Sequence, residues 1–307
     1  MIKLNRAMVL DEQKIRKKYH TFLLLEKSLS SNTIEAYEND LGKYYDFLKE
    51  HALSVESAGL SDLRHFLKEL SDLGIAVRSQ ARIVSSIKSF YHFLIYDESI
   101  DEDPTELLEM PKIGVYLPEV LSTEEINDIV SCIDMTKKEG QRNRAIIETL
   151  YGSGLRVSEL VNVKLSNLFL DEEYMRIEGK GKKERLVPLS KESIKQIRLW
   201  LMDRAQLEIK KGAEDYLFLN RRGAPLTRVM IFTIVKNLAL EASIEKRISP
   251  HTFRHSFATH LLEGGANLRD IQQLLGHESI LTTEIYTHIN VKYLQETIMK
   301  YHPRNRG

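Results

Sequence analysis

The sequence predicts a mostly α protein of two domains, with a small β-hairpin or sheet confined to the C-terminal one. Three observations lead there. The chain has 307 residues, about twice an average domain. Helical apolar stripes fill the first hundred residues, whereas the clear strand–turn–strand pattern comes only in the second half. Between the two lies an acidic, proline-interrupted connector. With 42% hydrophobic and 29% charged residues the chain can bury two cores, which excludes fibrous and largely disordered classes.

The N-terminal elements follow from periodicity. Helical patterns are expected near 11–28 and 60–73. Asn32 with Glu35 three residues later reads as a capping-box start, and Ile34, Tyr37, Leu41, Tyr44 and Leu48 recur at the three-and-four spacing of a buried stripe. Ile83, Ile87, Phe90, Tyr91 and Leu94 form another stripe. Arg78, Arg82, Ser85, Ser86 and Ser89 lie mostly off it, as a face for phosphates or simply for water. A bundle of about four helices is expected.

The connector carries Pro104, Pro111 and Pro118, which interrupt helix, and sets the expected boundaries: 1–110 as an N-terminal helical domain, 111–121 as linker and 122–307 as the C-terminal domain. Charge supports the division. Basic and acidic residues balance at 44 each, but between Asp97 and Glu109 there are seven acids and no base, so two mildly basic bodies flank an acidic connector. The single cysteine, Cys132, excludes an intramolecular disulfide and a cysteine-based zinc site, and fits a reducing compartment. Neither a signal-like apolar run nor a membrane-length stretch occurs, so a cytoplasmic protein without a membrane partner is expected.

In the C-terminal half, Ser122-Thr123-Glu124-Glu125 opens a helix, and Arg144 to Tyr151 makes another that Gly152 is expected to end. The strand-like runs Tyr174–Glu178 and Glu184–Leu189 are joined by Gly179-Lys180-Gly181-Lys182-Lys183, a hairpin. A shorter strand pair is expected within 215–227, around Arg222-Gly223. Ser249-Pro250 starts a helix that Gly264-Gly265 stops. Its His251, Arg254 and His255 fall on one face, and Phe253, Phe257 and Leu261 on another. Two imidazoles and a planar cation near a helix N-terminus suit a phosphate, although an ordinary amphipathic helix reads the same way. Asn267 caps a short helix that Gly276 ends, presenting His277 at a turn. The chain resumes in Leu281 to His288. There Tyr286 offers a phenol, a poor nucleophile at neutral pH that can attack phosphorus where cations stabilise the developing charge.

Together these segments resemble the tyrosine recombinase (phage integrase) family, and most closely its bacterial Xer branch. His251 to Leu262, Leu275-Gly276-His277 and Thr282 to His288 resemble its C-terminal boxes. Gly152-Ser153-Gly154-Leu155-Arg156-Val157-Ser158-Glu159-Leu160 matches its first arginine box, and Gly179 to Arg185 its lysine hairpin. Ser30–Leu41 and the Pro111–Ser122 connector are similar to the family's core-binding domain and linker. The resemblance thus spans nearly the whole chain, and its ordered boxes are jointly specific where each alone is weak.

The resemblance implies a two-domain architecture, a SAM-like core-binding domain followed by a catalytic one. It further implies that Tyr286 attacks a DNA phosphodiester to give a 3′-phosphotyrosyl enzyme, without metal or other cofactor. Arg156 and Arg254 would clamp the non-bridging oxygens and Glu159 would orient Arg156. Lys180 would protonate the leaving 5′-oxygen, His251 would assist proton transfer at the phenol, and His277 would donate to a phosphoryl oxygen. His255, His260 and His288 would pack or hydrogen-bond behind them. The implied partners are double-stranded DNA, a homo- or hetero-tetramer assembled through the C-terminal segment, a paralogous Xer recombinase and an FtsK-type translocase. Resolution of chromosome dimers at a dif-like site is the implied task. A mobile-element integrase is the alternative, against which stand the few residues ahead of the first predicted helix. A type IB topoisomerase resembles these boxes less. An inactive DNA-binding protein would have lost one of the six site residues, all of which are present.

Overall fold

A computed structural model describes residues 11–112, 114, 119–179, 184–276 and 288–305, and side chains for all of these except 288–292. The chain divides into two compact units, residues 1–116 and 117–307. Among the described residues no helix is long and apolar enough to cross a membrane.

The first unit is a bundle of α1 (Glu12–Leu25), α2 (Ser31–Glu50), α3 (Leu60–Asp72) and α4 (Val77–Tyr96). Asp11 caps α1 by accepting from the amides of Gln13 and Lys14. Helix α2 starts earlier than Asn32 and Glu35 suggest: Ser30 is the cap, its hydroxyl accepting from Thr33 N–H. The core is rich in aromatics, with Tyr19, Tyr44, Phe66, Phe90 and Tyr91 buried together. Each such side chain contributes about 1.5–3 kcal/mol through burial. The Arg/Ser face of α4 is partly turned inward, to a buried acid. Asp40 of α2 is fully buried and accepts from Arg82 Nη1 at 2.6 Å and Ser86 Oγ at 2.8 Å. A buried carboxylate needs such partners, so these two side chains serve the bundle rather than an open phosphate-binding face.

The second unit combines helices with a three-stranded antiparallel sheet. In order it contains α5 (Thr123–Ser131), α6 (Gly140–Ser153), α7 (Val157–Val161), β1 (Leu168–Phe169), β2 (Tyr174–Glu178), β3 (Glu184–Pro188), α8 (Lys191–Arg204), α9 (Arg228–Glu241), α10 (Pro250–Glu263), α11 (Leu268–Leu275) and α12 (His288–Tyr301). The strands run in the order β1-β2-β3, with Ile177 opposite Arg185. The expected hairpin is therefore present, and the short β1 extends it. Ser122 and Glu125 close a capping box at α5.

Two expectations fail in this unit. Gly152 does not end α6. It lies inside the helix, where its missing side chain admits the hydroxyls of Ser190 and Ser193, and the left-handed residue that ends the helix is Gly154 (φ 59°). The strand pair expected within 215–227 reduces to isolated bridges, Lys164 with Tyr216 and Leu219 with Pro225. Asn220 explains the tight turn beside the second bridge: its side-chain oxygen accepts from the amides of Arg222 and Ala224, and Gly223 takes φ 69°.

Candidate active site

The site begins with two helix ends. At the end of α6, Gly154 turns the chain, fully buried Leu155 anchors the turn, and Arg156 becomes the N-cap residue of α7. A side chain at Gly154 would run into the ring of Phe257 on α10, so the turn sits directly against that helix. At the end of α11, Gly276 (φ 64°) makes a second left-handed turn.

Both turns hold arginines. Arg254, on α10 and only 8% exposed, donates from Nη1 to Gly154 O and from Nη2 to Leu275 O, each at 2.7 Å. Arg156 donates from Nη1 to Glu159 Oε1 at 2.9 Å and from Nη2 to Gly276 O at 3.4 Å. Glu159, 6% exposed, also accepts the Arg156 amide at 2.8 Å, so one carboxylate fixes both the backbone and the guanidinium of Arg156. The spacing of Arg156 and Glu159 gives the orientation expected of them.

The sequence reading assigned no role to Arg185. This residue points inward from β3 and forms a two-pronged pair with Glu159, Nη1 to Oε1 at 2.7 Å and Nη2 to Oε2 at 2.9 Å. Its Nε would lie 2.9 Å from any Cβ at position 276, so glycine there lets the arginine pass under the turn. Strand alternation held the clue. Arg185 shares its face with buried Val187, and a charge on the core face of a strand requires a buried partner.

Two guanidiniums, Arg156 and Arg185, thus share the Glu159 carboxylate, and Arg254 stands by them on backbone carbonyls alone, leaving two positive charges in excess. Burial alone would raise the Glu159 carboxyl, but the hydrogen bonds and charge of Arg185, with the amide and guanidinium of Arg156, hold it down at about 2. Burial pushes Arg254 down to about 10, and the charge of Arg156 adds to the effect. It remains a cation at neutral pH, crowded by like charge in a largely dry place. An anion carrying oxygen acceptors would relieve that crowding. The cluster offers donors and cations rather than metal ligands.

His251 lies in the first turn of α10, exposed and one turn ahead of Arg254, on the same side of the helix. His255 is half-buried. His260 is buried, and its Nδ1 pairs with Tyr151 Oη at 2.8 Å, a packing role as expected. Lys180, His277 and Tyr286 lie outside the described residues, as does the side chain of His288. Of the six expected site residues, the structure places Arg156 and Arg254 in one cluster and His251 at its helix start.

In this single chain the C-terminal segment packs on its own unit. In α12, Leu294 and Ile298 are buried in the core of their own unit. Beyond it, Arg304 binds Glu148 and Asn127, and fully buried His302 packs on the rings of Tyr151 and Phe257.

A helical bundle followed by a helical unit with a small sheet and arginines clustered at two helix ends has the chemistry of an anion-binding protein, one suited to phosphate esters. Comparison with known proteins narrows it. Residues 119–292 match the phage integrase family, and residues 17–98 match the phage integrase N-terminal SAM-like domain. A tyrosine recombinase XerD of Chlorobaculum tepidum is 42% identical over 299 residues, covering 95% of this chain and 98% of the relative. One from Staphylococcus aureus is 41% identical over 291 residues, covering 94% and 99%. Among solved structures, the XerH site-specific recombinase bound to a palindromic difH substrate shares the fold with a TM-score of 0.69 at 24% identity, covering 92% of this chain and 84% of that one. The Tn1549 transposon integrase in complex with circular intermediate DNA shares it at 0.68 and 20%, covering 91% and 98%. The chain belongs to the phage integrase family and is a site-specific tyrosine recombinase.

Proposed function

We propose that this recombinase binds double-stranded DNA at a dif-like site and exchanges strands there, so as to resolve chromosome dimers. Residues 1–110 form the core-binding domain, 111–121 the linker and 122–307 the catalytic domain. Two XerD relatives above 40% identity over nearly the whole chain support the reading. The observation that carries its chemistry is the joint fixing of Arg156 and Arg254 around Glu159 and the two glycine turns.

In the cleavage step the Tyr286 oxygen forms a bond to phosphorus as the bond to the 5′-oxygen breaks. The phenol proton passes to His251, and Lys180 gives a proton to the leaving oxygen, since an alkoxide leaves poorly. Arg156, Arg254 and His277 donate to the non-bridging oxygens, whose charge grows as the phosphorus becomes five-coordinate. The phosphotyrosyl bond keeps the energy of the broken ester, so a 5′-hydroxyl from a second duplex reverses the step on a new strand. Neither a metal nor a nucleotide enters the balance. Exchange between two sites calls for four protomers, of this chain alone or with a paralogue, under the control of an FtsK-type translocase.

The test is covalent trapping on a nicked duplex bearing a dif-like sequence, with chelator present and wild type beside Tyr286→Phe. The expected result is a protein–DNA adduct in the wild type only. An adduct that persists in Tyr286→Phe would overturn the assignment of the nucleophile.

A further inference from the structure

The first unit carries a second cluster of chemistry-bearing side chains, to which the cleavage chemistry proposed above assigns no part. His51 is the residue that ends α2, while His65 and Glu69 lie one turn apart on α3. His51 Nε2 is 2.8 Å from Glu69 Oε1, and His65 Nε2 is 3.4 Å from the same oxygen. The three potential ligand atoms all lie within 4.8 Å of one another. Donor atoms around a tetrahedral zinc ion at about 2.0–2.1 Å stand roughly 3.3 Å apart, so small rotations suffice to place all three around one ion.

The rings are held for it. Phe47, four residues before His51 on α2, packs on His51 at 4.5 Å between centroids and meets His65 edge-on at 5.8 Å. Side-chain exposures of 31%, 53% and 33% for His51, His65 and Glu69 leave the cluster open on one side, where water or a further ligand completes the shell. His51 stands at the carbonyl end of α2, the negative end of its dipole, which favours a cation nearby.

We propose that His51, His65 and Glu69 form a binding site for a divalent transition-metal ion of the zinc type, which ties the end of α2 to α3. Two imidazoles and one carboxylate select such an ion over magnesium or calcium, which prefer all-oxygen shells. The role is structural, separate in sequence from every residue assigned to strand cleavage.

The test uses the full chain, prepared without a histidine tag. Zinc chloride is titrated calorimetrically, and cobalt(II) serves as a visible-absorption reporter of coordination. Wild type is expected to take up one equivalent that His65→Ala and Glu69→Gln each weaken by at least about tenfold. His65 is exposed and the Glu69 change is nearly isosteric, so both variants should retain their folded circular dichroism. Absence of a saturable equivalent in wild type, or equal uptake by wild type and both variants, would overturn the proposal.

Discussion

Glu159→Gln is the perturbation whose size the structure fixes best. Glu159 is buried and its carboxylate receives four hydrogen bonds, two from Arg156 and two from Arg185. Its folded value of about 2 against an ordinary 4.5 corresponds to about 3 kcal/mol of stability. Because the folded value is the lower one, this contribution is fully present above pH 4.5 and is lost as pH falls through about 2. Glutamine removes the charge and sets an amide N–H₂ against a guanidinium. The variant should therefore be less stable by about 3 kcal/mol at pH 7, within the range for breaking a buried ion pair. Between pH 7 and pH 3 the wild type should lose about 2 kcal/mol from this group, and the variant none of it. Guanidinium unfolding of both proteins at the two pH values measures this. Function supplies a second readout, since Arg156 loses its fixed orientation: single-turnover DNA cleavage should fall by about tenfold or more while DNA affinity changes little. A stability loss below about 1 kcal/mol at pH 7, or identical acid dependence in the two proteins, would refute the linkage argument.

Two further outcomes are expected, one from the same geometry and one from the proposed chemistry. Gly276→Ala puts a side chain on a left-handed residue (φ 64°) and a Cβ 2.9 Å from Arg185 Nε; equilibrium unfolding should show a loss of about 1–2 kcal/mol, and unchanged stability would mean the turn and arginine can shift freely. Lys180→Ala should be deficient in cleaving ordinary DNA and regain activity when sulfur replaces the bridging 5′-oxygen, because a thiolate leaves without a proton. Failure of that rescue would remove Lys180 as the acid.

Local signals in the sequence were strong where a cap and a stop lie close together. Ser249-Pro250 and Gly264 bracket α10, and Asn267 and Gly276 bracket α11, because each residue satisfies or terminates backbone hydrogen bonds within a turn. The hairpin was legible for a similar reason: its strands alternate and its connecting segment is rich in glycine and lysine. Partnerships across long separations were not. Glu159 reaches Arg185 over 26 residues, and Asp40 reaches Arg82 over 42. No local period encodes such a pair, though an inward-facing arginine on β3 demanded an acid somewhere. Gly152 misled because a glycine inside a helix can serve close packing, here under Ser190 and Ser193, as well as termination. The metal-type cluster was hidden likewise, since a histidine at the end of α2 meets its partners only once α3 folds back beside it.

The central claim is that Arg254, held by Gly154 O and Leu275 O, stabilises charge on the scissile phosphate. The most direct measurement compares Arg254→Ala with wild type in single-turnover cleavage of two duplexes, one with a normal scissile phosphate and one with a neutral methylphosphonate. The clamp predicts a loss on the order of 10²–10³-fold on the phosphodiester, most of which disappears on the methylphosphonate, where no second charged oxygen needs support. Equal losses on both duplexes would contradict it and leave Arg254 a structural residue of the two turns.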